Sequence, residues 1–531
     1  MTTQISSRIF INSLAALGST ITVIAYKINK DRCYAHNPCP HTQAEHTCQD
    51  TSVPSTGIKW INNWDEREPK PRDPASGPCG CNREERPSAK RNIFLIRHGD
   101  YDMFGRLANL NPQGIVQSEF TGERLSDLGH KYDIILHSTM RRAMETADII
   151  RKYIPQTMMT SSPLLREGAP IKSEPLTSYR PPSEQIKCDG ERIEKAFRVH
   201  FHRADAWKKE DTFEIMICHA NVIRYFVCRA MQFPPEAWLR FGLCNCSITW
   251  LIIHPNGRVE LKSLGDSAAV GCISTIVTNN GRFSVEAEIS DEEKYPFPAP
   301  PKSSTPWDHN WDNREPRPFA ASEILVKDMG SSGDYCEIDP KTIKAPIAKR
   351  NIFLIRHGHY KRSNGQLSEA GKMQALLTAE RLNKLGYWYN TTVFTSTMIR
   401  AKQTTQLIQM VIPRLKIKEI DKISEGCPCL PDPLPGHKIE SDGERIEKAF
   451  TKYFHRADHR QTKDSYELVV IHGNVIRYFV CRALQFTPDA WTRFTLNNCS
   501  ITWLVIHPNG RVELKAMGDA EHLPPELITT A

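Results

Sequence analysis

The sequence predicts an α/β protein with two tandem domains, each a mostly parallel sheet with helices on both faces. Short apolar runs such as "IFLI", which suit buried parallel strands, alternate with segments whose apolar residues recur at helical spacing. Four longer motifs each occur twice, in the same order. The chain has 531 residues, more than the roughly 100–200 residues of one ordinary domain. We therefore interpret it as two copies of one domain, each long enough to bury its own core.

The repeated motifs place the boundaries of the two copies. They are "AKRNIFLIRHG" (89–99 and 348–358), "DGERIEKAF" (189–197 and 442–450), "NVIRYFVCRA" (221–230 and 474–483) and "HPNGRVELK" (254–262 and 507–515). We divide the chain into an N-terminal membrane or targeting segment (1–30), a tether (31–90), repeat 1 (91–266), a linker (267–349), repeat 2 (350–519) and a C-terminal tail (520–531).

Composition argues against several classes of protein. Hydrophobic residues make up 40% of the chain and charged residues 24%, a globular balance that a wholly disordered or fibrous chain would not show. The net charge is 69 − 61 = +8, which is too mild over this length to indicate a nucleic-acid binder. The 16 cysteines are far from the density of a disulfide scaffold.

The N-terminal run at residues 9–26 is apolar or small and carries no charge. Eighteen residues at about 1.5 Å each just suffice to cross a hydrocarbon core, although polar side chains dilute the run. A signal anchor, a removable targeting peptide and a buried helix all fit this pattern. No acidic residue precedes Asp31 and basic residues flank the run, so we expect a mitochondrial or other membrane address.

The tether and the linker contain two further features. The tract 33–48 has three cysteines and three histidines, but its spacing matches no regular zinc finger, so a zinc site and a solvated tail with incidental thiols both stay open. A Trp/Asp element precedes each copy, "WINNWDEREP" (60–69) and "WDHNWDNREP" (307–316). Exposed tryptophans in a polar linker are costly unless they dock, so we expect these elements to pack on a folded domain. The residues concerned are Trp60, Trp64, Asp65, Trp307, Asp308, Trp311 and Asp312.

The elements of one copy follow in order from local patterns. "RNIFLIR" predicts a buried strand, and residues 110–129 predict a helix that ends at Gly129, matched by 367–386 in the second copy. "YDIILHS" and "YNTTVFTS" predict strands, and "TMRRAMETADIIRKYI" and "TMIRAKQTTQLIQMVI" predict helices. "FEIMIC" and "YELVVI" predict strands that each end in a histidine, followed by the apolar helix "NVIRYFVCRA". "SITWLIIHPNGRVEL" predicts a hairpin with Asn-Gly at its turn.

Histidines and arginines collect at the predicted strand ends. His98 and His219 follow two strands of repeat 1, Arg97 directly precedes His98, and Arg142 begins the helix after a third strand. Ligands bind at the carboxyl ends of strands in such sheets, so we expect these side chains to form an oxyanion cage. Repeat 2 has Arg356, His357, Arg400 and His472 in the matching places. The cage suits a phosphoryl group. The sequence has no G-x-x-x-x-G-K-[ST] motif, so nucleoside triphosphate chemistry is not indicated.

The motifs "LIRHG", "L-x-x-x-G-x-x-Q", "S-T-M-x-R-A", "EG" and "HAN" or "HGN" occur in this order in both copies. This ordered set resembles the histidine phosphatase superfamily, also called the phosphoglycerate mutase-like family. Within that superfamily, "LLREGAPIKSEP", "FHRAD", "ICHANVIRYFVCRAMQFPPEAW" and "WDHNWDNREP" are most similar to the mitochondrial serine/threonine-protein phosphatase branch. The resemblance covers nearly the whole chain as a tandem duplication, whereas the usual member resembles one copy.

The resemblance implies a two-step reaction through a phosphohistidine, with no cofactor and no metal. His98 would be the nucleophile, and Arg97, Arg142 and His219 would hold the phosphoryl oxygens. Glu167 would protonate the leaving oxygen and later activate water. The corresponding residues of repeat 2 are Arg356, His357, Arg400, Glu425 and His472. The Trp/Asp elements would be multimerisation motifs that dock on a neighbouring catalytic domain.

The resemblance also implies a setting for the reaction. Substrates would be phosphoserine and phosphothreonine proteins, and signalling kinases of the apoptosis-signal-regulating type would be partners. The chain would form a homo-oligomer and be held in a mitochondrial membrane, the outer one by preference, through a single N-terminal anchor. Two alternatives stay open: a phosphoglycerate mutase or small-molecule phosphatase, and a scaffold that only binds kinases.

Overall fold

The structure is a computed structural model, and it describes residues 59–67, 87–103, 107–267, 306–314, 346–432 and 442–530. The N-terminal segment at 1–30 and the Cys/His tract at 33–48 lie outside these residues. In the part of the chain that is described, no helix is long and apolar enough to cross a membrane.

The strands of the described residues form one twelve-stranded sheet, to which each repeat contributes six strands. Those of repeat 1 are β1 (Arg91–Arg97), β2 (Ile134–Ser138), β3 (Met158–Ser162), β4 (Thr212–Cys218), β5 (Ile248–Ile253) and β6 (Val259–Asp266). Those of repeat 2 are β7 (Arg350–Arg356), β8 (Thr392–Ser396), β9 (Lys416–Ile420), β10 (Ser465–Ile471), β11 (Ile501–Ile506) and β12 (Val512–Asp519). The spatial order is β3-β2-β4-β1-β5-β6-β12-β11-β7-β10-β8-β9.

Each repeat contains a parallel sheet extended by an antiparallel hairpin. In repeat 1, β3, β2, β4 and β1 pair in parallel, and β5 and β6 add to the β1 edge in antiparallel pairing. Repeat 2 has the same pattern. The predicted α/β class with a mostly parallel sheet in each domain is confirmed.

The α-helices of the described residues connect these strands. They are α1 (Pro112–Asp127), α2 (Arg141–Arg151), α3 (Ser183–His200), α4 (Ala220–Ala230), α5 (Glu369–Lys384), α6 (Ile399–Val411), α7 (Gly443–Tyr453) and α8 (Gly473–Ala483). The helix predicted from residue 110 begins at Pro112, because Asn111 caps it by accepting a hydrogen bond from Gly114 N at 2.8 Å.

Two elements of each repeat went unpredicted. The edge strands β3 and β9 are mostly exposed and lack a continuous apolar run, so their sequences do not read as strands. Helices α3 and α7 each bury only a narrow stripe, which in α3 consists of Ile193, Ala196 and Phe197.

The two repeats join along β6 and β12. Leu264 pairs with Met517 in antiparallel register at this junction. Phe233 of repeat 1 stacks on Phe486 of repeat 2 with 4.0 Å between ring centroids, and both side chains are buried. The core is therefore shared by the repeats rather than closed off in each.

Equivalent arginines cross the junction in both directions. Arg240 Nη1 donates to Leu484 O at 2.6 Å, and Arg493 Nη1 donates to Met231 O at 2.9 Å. Because each repeat offers the other the same groups, the repeats are paired like the two subunits of an isologous dimer, within one chain.

The second half of each Trp/Asp element docks on the repeat that follows it. Trp64 Nε1 donates to Gly257 O at 2.7 Å, and Asp65 pairs with the buried Arg203 at 2.5 Å. Gly257 has φ +83°, and a Cβ there would lie 2.1 Å from Asn62 O, so the "HPNG" turn needs glycine both for its conformation and for this contact. The matching contacts of repeat 2 are Trp311 Nε1 to Gly510 O at 2.8 Å and Asp312 to Arg456 at 2.8 Å.

The first tryptophan of each element contacts the other repeat. The guanidinium of Arg493 lies 5.0 Å from the ring centroid of Trp60, and that of Arg240 lies 4.7 Å from Trp307. Each element thus bridges the two repeats of its own chain. Assembly of separate chains through these residues stays a prediction.

Ile61 stands where the second element has Asp308. Both residues donate their backbone N–H to a glutamine of the nearest helix end, Gln232 and Gln485, at 2.8 Å. The change from aspartate to isoleucine therefore leaves this docking contact intact.

Asp312→Ala should destabilise repeat 2. Arg456 and Asp312 are both almost fully buried, so the substitution leaves an unpaired buried charge, which costs about 3–5 kcal/mol. Chemical unfolding followed through tryptophan fluorescence measures the shift, and Asp458→Ala, at an exposed aspartate, is the control and should shift the unfolding midpoint far less. Equal unfolding midpoints for the two variants would contradict the docking described above.

Candidate active site

Three neighbouring parallel strands, β2, β4 and β1, bring their carboxyl ends to one edge of the sheet. His98 follows β1, His219 follows β4, and Arg142 lies in the first turn of α2 after β2. The rings of His98 and His219 are 5.0 Å apart between centroids, and Arg142 Nε lies 3.0 Å from His98 Nε2. The structure brings these three predicted residues into one pocket.

The hydrogen bonds of His98 define which nitrogen can react. The side chain is 2% exposed, and Nδ1 lies 2.8 Å from Gly99 O. Since a carbonyl oxygen only accepts, Nδ1 carries the proton and Nε2 presents its lone pair, which accepts from Arg142 Nε. Burial and the charges of Arg142 and Arg97 hold the pKa of His98 well below its ordinary value. The imidazole is therefore neutral, and nucleophilic at Nε2, at physiological pH.

A close backbone approach fixes the turn that carries His98. A Cβ at Gly99 would lie 2.5 Å from Gly114 O, so only glycine fits there. Asp100 N donates to Gln117 Oε1 at 2.8 Å. The glycine and glutamine of the "L-x-x-x-G-x-x-Q" motif on α1 thus hold the turn that follows His98.

Arg142, which is buried, and Arg97, which is half-buried, supply positive charge to the pocket. The guanidinium of Arg142 lies 4.6 Å from the centroid of the Tyr101 ring. Arg97 Nη1 donates to Leu243 O at 2.6 Å, and its Nε is buried with no hydrogen-bond partner. Within the described residues neither arginine forms an ion pair with a carboxylate. Buried cations in this state favour an anionic ligand.

His219 is fully buried opposite His98. Its Nε2 lies 2.8 Å from Ser138 Oγ, and its Nδ1 has no hydrogen-bond partner among the described residues. Burial, reinforced by the neighbouring His98 and Arg142, holds the pKa of His219 well below its ordinary value. A proton on Nδ1 would be available to an anion bound in the pocket.

Glu167 faces the same pocket. Its Oε1 accepts from Gly168 N at 3.1 Å. Burial raises the pKa of Glu167, against the opposing charges of Arg142, Arg97 and Arg224. A carboxyl group with a raised pKa keeps its proton closer to neutral pH, as a general acid must.

Repeat 2 reproduces the arrangement. The rings of His357 and His472 are 5.0 Å apart, and Arg400 Nε donates to His357 Nε2 at 3.0 Å. Nδ1 of His357 lies 2.8 Å from Gly358 O, and burial lowers the pKa of His357 to about 3. Glu425 Oε2 lies 3.8 Å from His472 Nδ1, and burial raises the pKa of Glu425.

The two sites differ at their rims. Arg356 Nη1 donates to Leu496 O at 2.5 Å and also to Thr530 O at 2.9 Å. The C-terminal tail therefore packs beside Arg356 of repeat 2. The residue after the motif glycine also differs, because repeat 1 has Asp100 where repeat 2 has His359.

A divalent metal is a poor match for this pocket. The donor atoms of His357, Glu425 and His472 lie within 4.8 Å of one another, which is close enough to share an ion. The positive charges of Arg356 and Arg400 act on the same three groups and disfavour a cation. The pocket is suited to an anion.

Several residues that position the site were missed by sequence reasoning. Each contacts a predicted residue or the glycine that follows one, and each recurs in both copies, which is the signal that could have found them. They are Tyr101, Ser138, Thr146 and Asn221 in repeat 1, and Tyr360, Ser396, Thr404 and Asn474 in repeat 2.

The sequence model of the histidine phosphatase superfamily (branch 1) matches residues 93–267, 352–427 and 426–519. These ranges make up more than half of the chain and include both pockets. The chain belongs to the histidine phosphatase superfamily. The resemblance inferred from the motifs is thereby confirmed, and the chain is an enzyme of the histidine phosphatase type.

Named relatives match one repeat's length of chain. The serine/threonine-protein phosphatase PGAM5, mitochondrial, of Xenopus laevis is 51% identical over 226 residues, which are 40% of this chain and 82% of that protein. The protein of the same name from Homo sapiens is 50% identical over 232 residues, 40% of this chain and 78% of that protein. A solved phosphoglycerate mutase from Plasmodium falciparum is 34% identical, covers 36% of this chain and 99% of its own, and has a TM-score of 0.27.

Inorganic phosphate should stabilise the folded chain through these pockets. A ligand that binds only the folded state adds about 2.7 kcal/mol at a concentration of about 100 times its Kd. Arg142→Gln combined with Arg400→Gln should abolish the phosphate-dependent rise in Tm, because it removes the donor facing each histidine. Arg141→Gln is the matched control, since Arg141 is the sequence neighbour of Arg142 but is exposed and ion-paired with Glu145. If the double variant still shows the phosphate-dependent rise in Tm, phosphate binds at another site.

Proposed function

We propose that this protein is a protein-serine/threonine phosphatase that works through a phosphohistidine, with one active site in each repeat. The observation that carries the proposal is the buried, neutral His98 with its Nε2 facing Arg142 and with Glu167 at the same pocket. The same arrangement in repeat 2 supports it. So do the relatives at about 50% identity that are named serine/threonine-protein phosphatases.

In the first step the lone pair of His98 Nε2 attacks phosphorus and forms the N–P bond, while the bond from phosphorus to the serine or threonine oxygen breaks. Arg97, Arg142 and the Nδ1 proton of His219 stabilise the three non-bridging oxygens. Glu167 gives its proton to the departing oxygen, so the leaving group is a neutral alcohol.

In the second step the Glu167 carboxylate takes a proton from water as the water oxygen attacks the phosphohistidine. The N–P bond breaks, its electron pair returns to His98 Nε2, and inorganic phosphate leaves. Glu167 is protonated again and the site is restored. Metal-free hydrolysis of this kind depends on positioning and on charge stabilisation.

We also propose that the enzyme acts in the mitochondrion. Its relatives are named mitochondrial, and the uncharged run at 9–26 with flanking bases is consistent with that address. Anchoring in the outer membrane, regulation of signalling kinases and assembly into a homo-oligomer stay predictions. A reporter fused to residues 1–30 that remains in the cytosol would overturn the proposed location.

The nucleophiles should act independently of each other. His98→Ala and His357→Ala should each leave one working site, whereas the double variant should lose more than about a thousandfold in activity on phosphopeptides. Acid-labile radiolabelled phosphate should be trapped on the parent chain and not on the double variant. His459→Ala, at an exposed histidine, is the control. Full activity in the double variant would refute the mechanism, and faster turnover of phosphoglycerate than of phosphopeptide would favour the small-molecule alternative.

Glu167→Gln should separate the two proton transfers when repeat 2 is silenced by His357→Ala. Hydrolysis of a phosphoserine peptide should fall by about 10²–10⁴-fold, because glutamine cannot protonate the alcohol. The first turnover of p-nitrophenyl phosphate should stay fast, since nitrophenolate leaves without a proton, while later turnovers slow for lack of a base. Rapid-mixing measurement of the nitrophenolate burst tests this, with Glu123→Gln at an exposed site as control. A first turnover that slows as much as peptide hydrolysis would exclude Glu167 as the acid.

A further inference from the structure

Each pocket has one more positive charge than the proposed mechanism uses. Arg224 lies on α4 five residues after His219, and Arg477 lies on α8 five residues after His472. Both side chains are half-buried, and the Nε atom of each is buried with no hydrogen-bond partner in the part of the chain that the structure describes. Within the described residues neither guanidinium is ion-paired with a carboxylate.

A chain of hydrogen bonds connects Arg224 to the acid of the mechanism. Arg224 Nη1 donates to Asn221 Oδ1 at 3.2 Å, and Asn221 Nδ2 donates to Gly168 O at 3.2 Å. Gly168 N in turn donates to Glu167 Oε1 at 3.1 Å. Arg224 therefore lies on the side of the pocket where Glu167 meets the leaving group.

Repeat 2 contains the same chain of contacts. Arg477 Nη1 donates to Asn474 Oδ1 at 3.4 Å, Asn474 Nδ2 donates to Gly426 O at 3.2 Å, and Gly426 N donates to Glu425 Oε1 at 3.3 Å. The arrangement thus occurs twice within one chain, in pockets whose rims differ.

The reacting phosphoryl group does not need this additional arginine. In the proposed mechanism its three non-bridging oxygens are held by Arg97, Arg142 and His219. The leaving side of the pocket is where the substrate's own polypeptide must lie, because Glu167 protonates the oxygen that stays with it. An arginine placed there meets groups that flank the phosphorylated residue.

Charges from the other repeat do not satisfy Arg224. Glu513 of repeat 2 acts on Arg224, but its carboxylate already pairs with Lys515 at 2.8 Å and with Arg511 at 3.5 Å. Burial and the charge of Arg97 lower the pKa of Arg224 to about 10, so it remains a cation at neutral pH. The guanidinium is thus charged, partly buried and, among the described residues, not ion-paired with a carboxylate.

We propose that Arg224 and Arg477 each form a second anion subsite beside the phosphoryl cage, which binds an anionic group of the substrate chain close to the residue that loses its phosphate. The group is a carboxylate of aspartate or glutamate, or a second phosphate. The inference rests on the proposed function, because it assumes that the leaving group is a polypeptide. It gives the enzyme a preference for phosphorylated residues in acidic surroundings.

The test uses the full chain with His357→Ala, so that only repeat 1 turns over. Three phosphoserine peptides differ only in the flanking residues, which are alanine, aspartate or a second phosphoserine, and p-nitrophenyl phosphate serves as a substrate without flanks. We expect kcat/KM to be about tenfold higher for the anionic flanks than for alanine, which corresponds to about 1.4 kcal/mol. Whichever of the aspartate and phosphoserine peptides gains more identifies the anion.

Arg224→Gln should bring kcat/KM for the anionic and alanine peptides to within about twofold of each other, and p-nitrophenyl phosphate measures any change that is common to all substrates. Arg224→Lys should retain part of the preference, because it keeps the charge and loses the fork of donors. Arg141→Gln removes a positive charge from the surface instead of from the subsite. It should leave the preference for anionic flanks unchanged.

Three outcomes would overturn the inference. The parent shows no preference for anionic flanks, or Arg224→Gln lowers all substrates equally, or Arg141→Gln removes the preference as completely as Arg224→Gln does. Hydrolysis of p-nitrophenyl phosphate without hydrolysis of any phosphopeptide is a different result, because it would overturn the proposed function itself.

Discussion

Each pocket of this enzyme contains arginines that, among the described residues, form no ion pair with a carboxylate. Backbone carbonyls and aromatic faces take the place of acids, as Leu243 O does for Arg97 and the ring of Tyr101 does for Arg142. A carboxylate in either position would neutralise the charge that must meet the phosphoryl group. Burial lowers the pKa of His98, and the same positive charge lowers it further, so the imidazole stays unprotonated. The charge that favours an anion therefore also helps to keep the histidine neutral.

The pairing of the repeats extends to the loops that hold these arginines. Gly242, next to the carbonyl that binds Arg97, donates its N–H to Leu514 O of repeat 2 at 2.7 Å. Thr495, next to the carbonyl that binds Arg356, donates its N–H to Leu261 O of repeat 1 at 2.9 Å. Neither pocket is therefore built by one repeat alone. The tandem duplication covalently links two domains whose active-site loops depend on each other's hairpins.

The parts of this structure that were predictable follow from local pattern. Continuous apolar runs mark the central strands. Histidine or arginine follows three of these strands, so the positions of His98, His219 and Arg142 could be inferred together. Contacts between distant segments could not be inferred in this way. Ser138 meets His219 across 81 positions, and nothing in either local sequence indicates the pairing.

The docking of the Trp/Asp elements shows the same limit. The tryptophans indicated that the elements pack on a folded surface, and they do. Which surface depends on the junction between the repeats, where Trp60 lies against Arg493 and Trp307 lies against Arg240. That junction forms because β6 pairs with β12. The two strands are far apart in the chain, and local sequence patterns do not predict their pairing.

The two pockets share their chemistry and differ in what surrounds it. His98 and His357 have matching hydrogen bonds, with 2.8 Å from Nδ1 to the glycine carbonyl and 3.0 Å from Nε2 to Nε of the facing arginine. Glu167 and Glu425 each accept from the N–H of the glycine that follows. The differences lie at the rim, in Thr530 O on Arg356 and in His359 in place of Asp100. Rim groups meet the parts of a substrate that do not react, so they act on binding rather than on the chemical step. The two copies therefore keep the same arrangement of histidine, arginine and glutamate and differ at the entrances of their pockets.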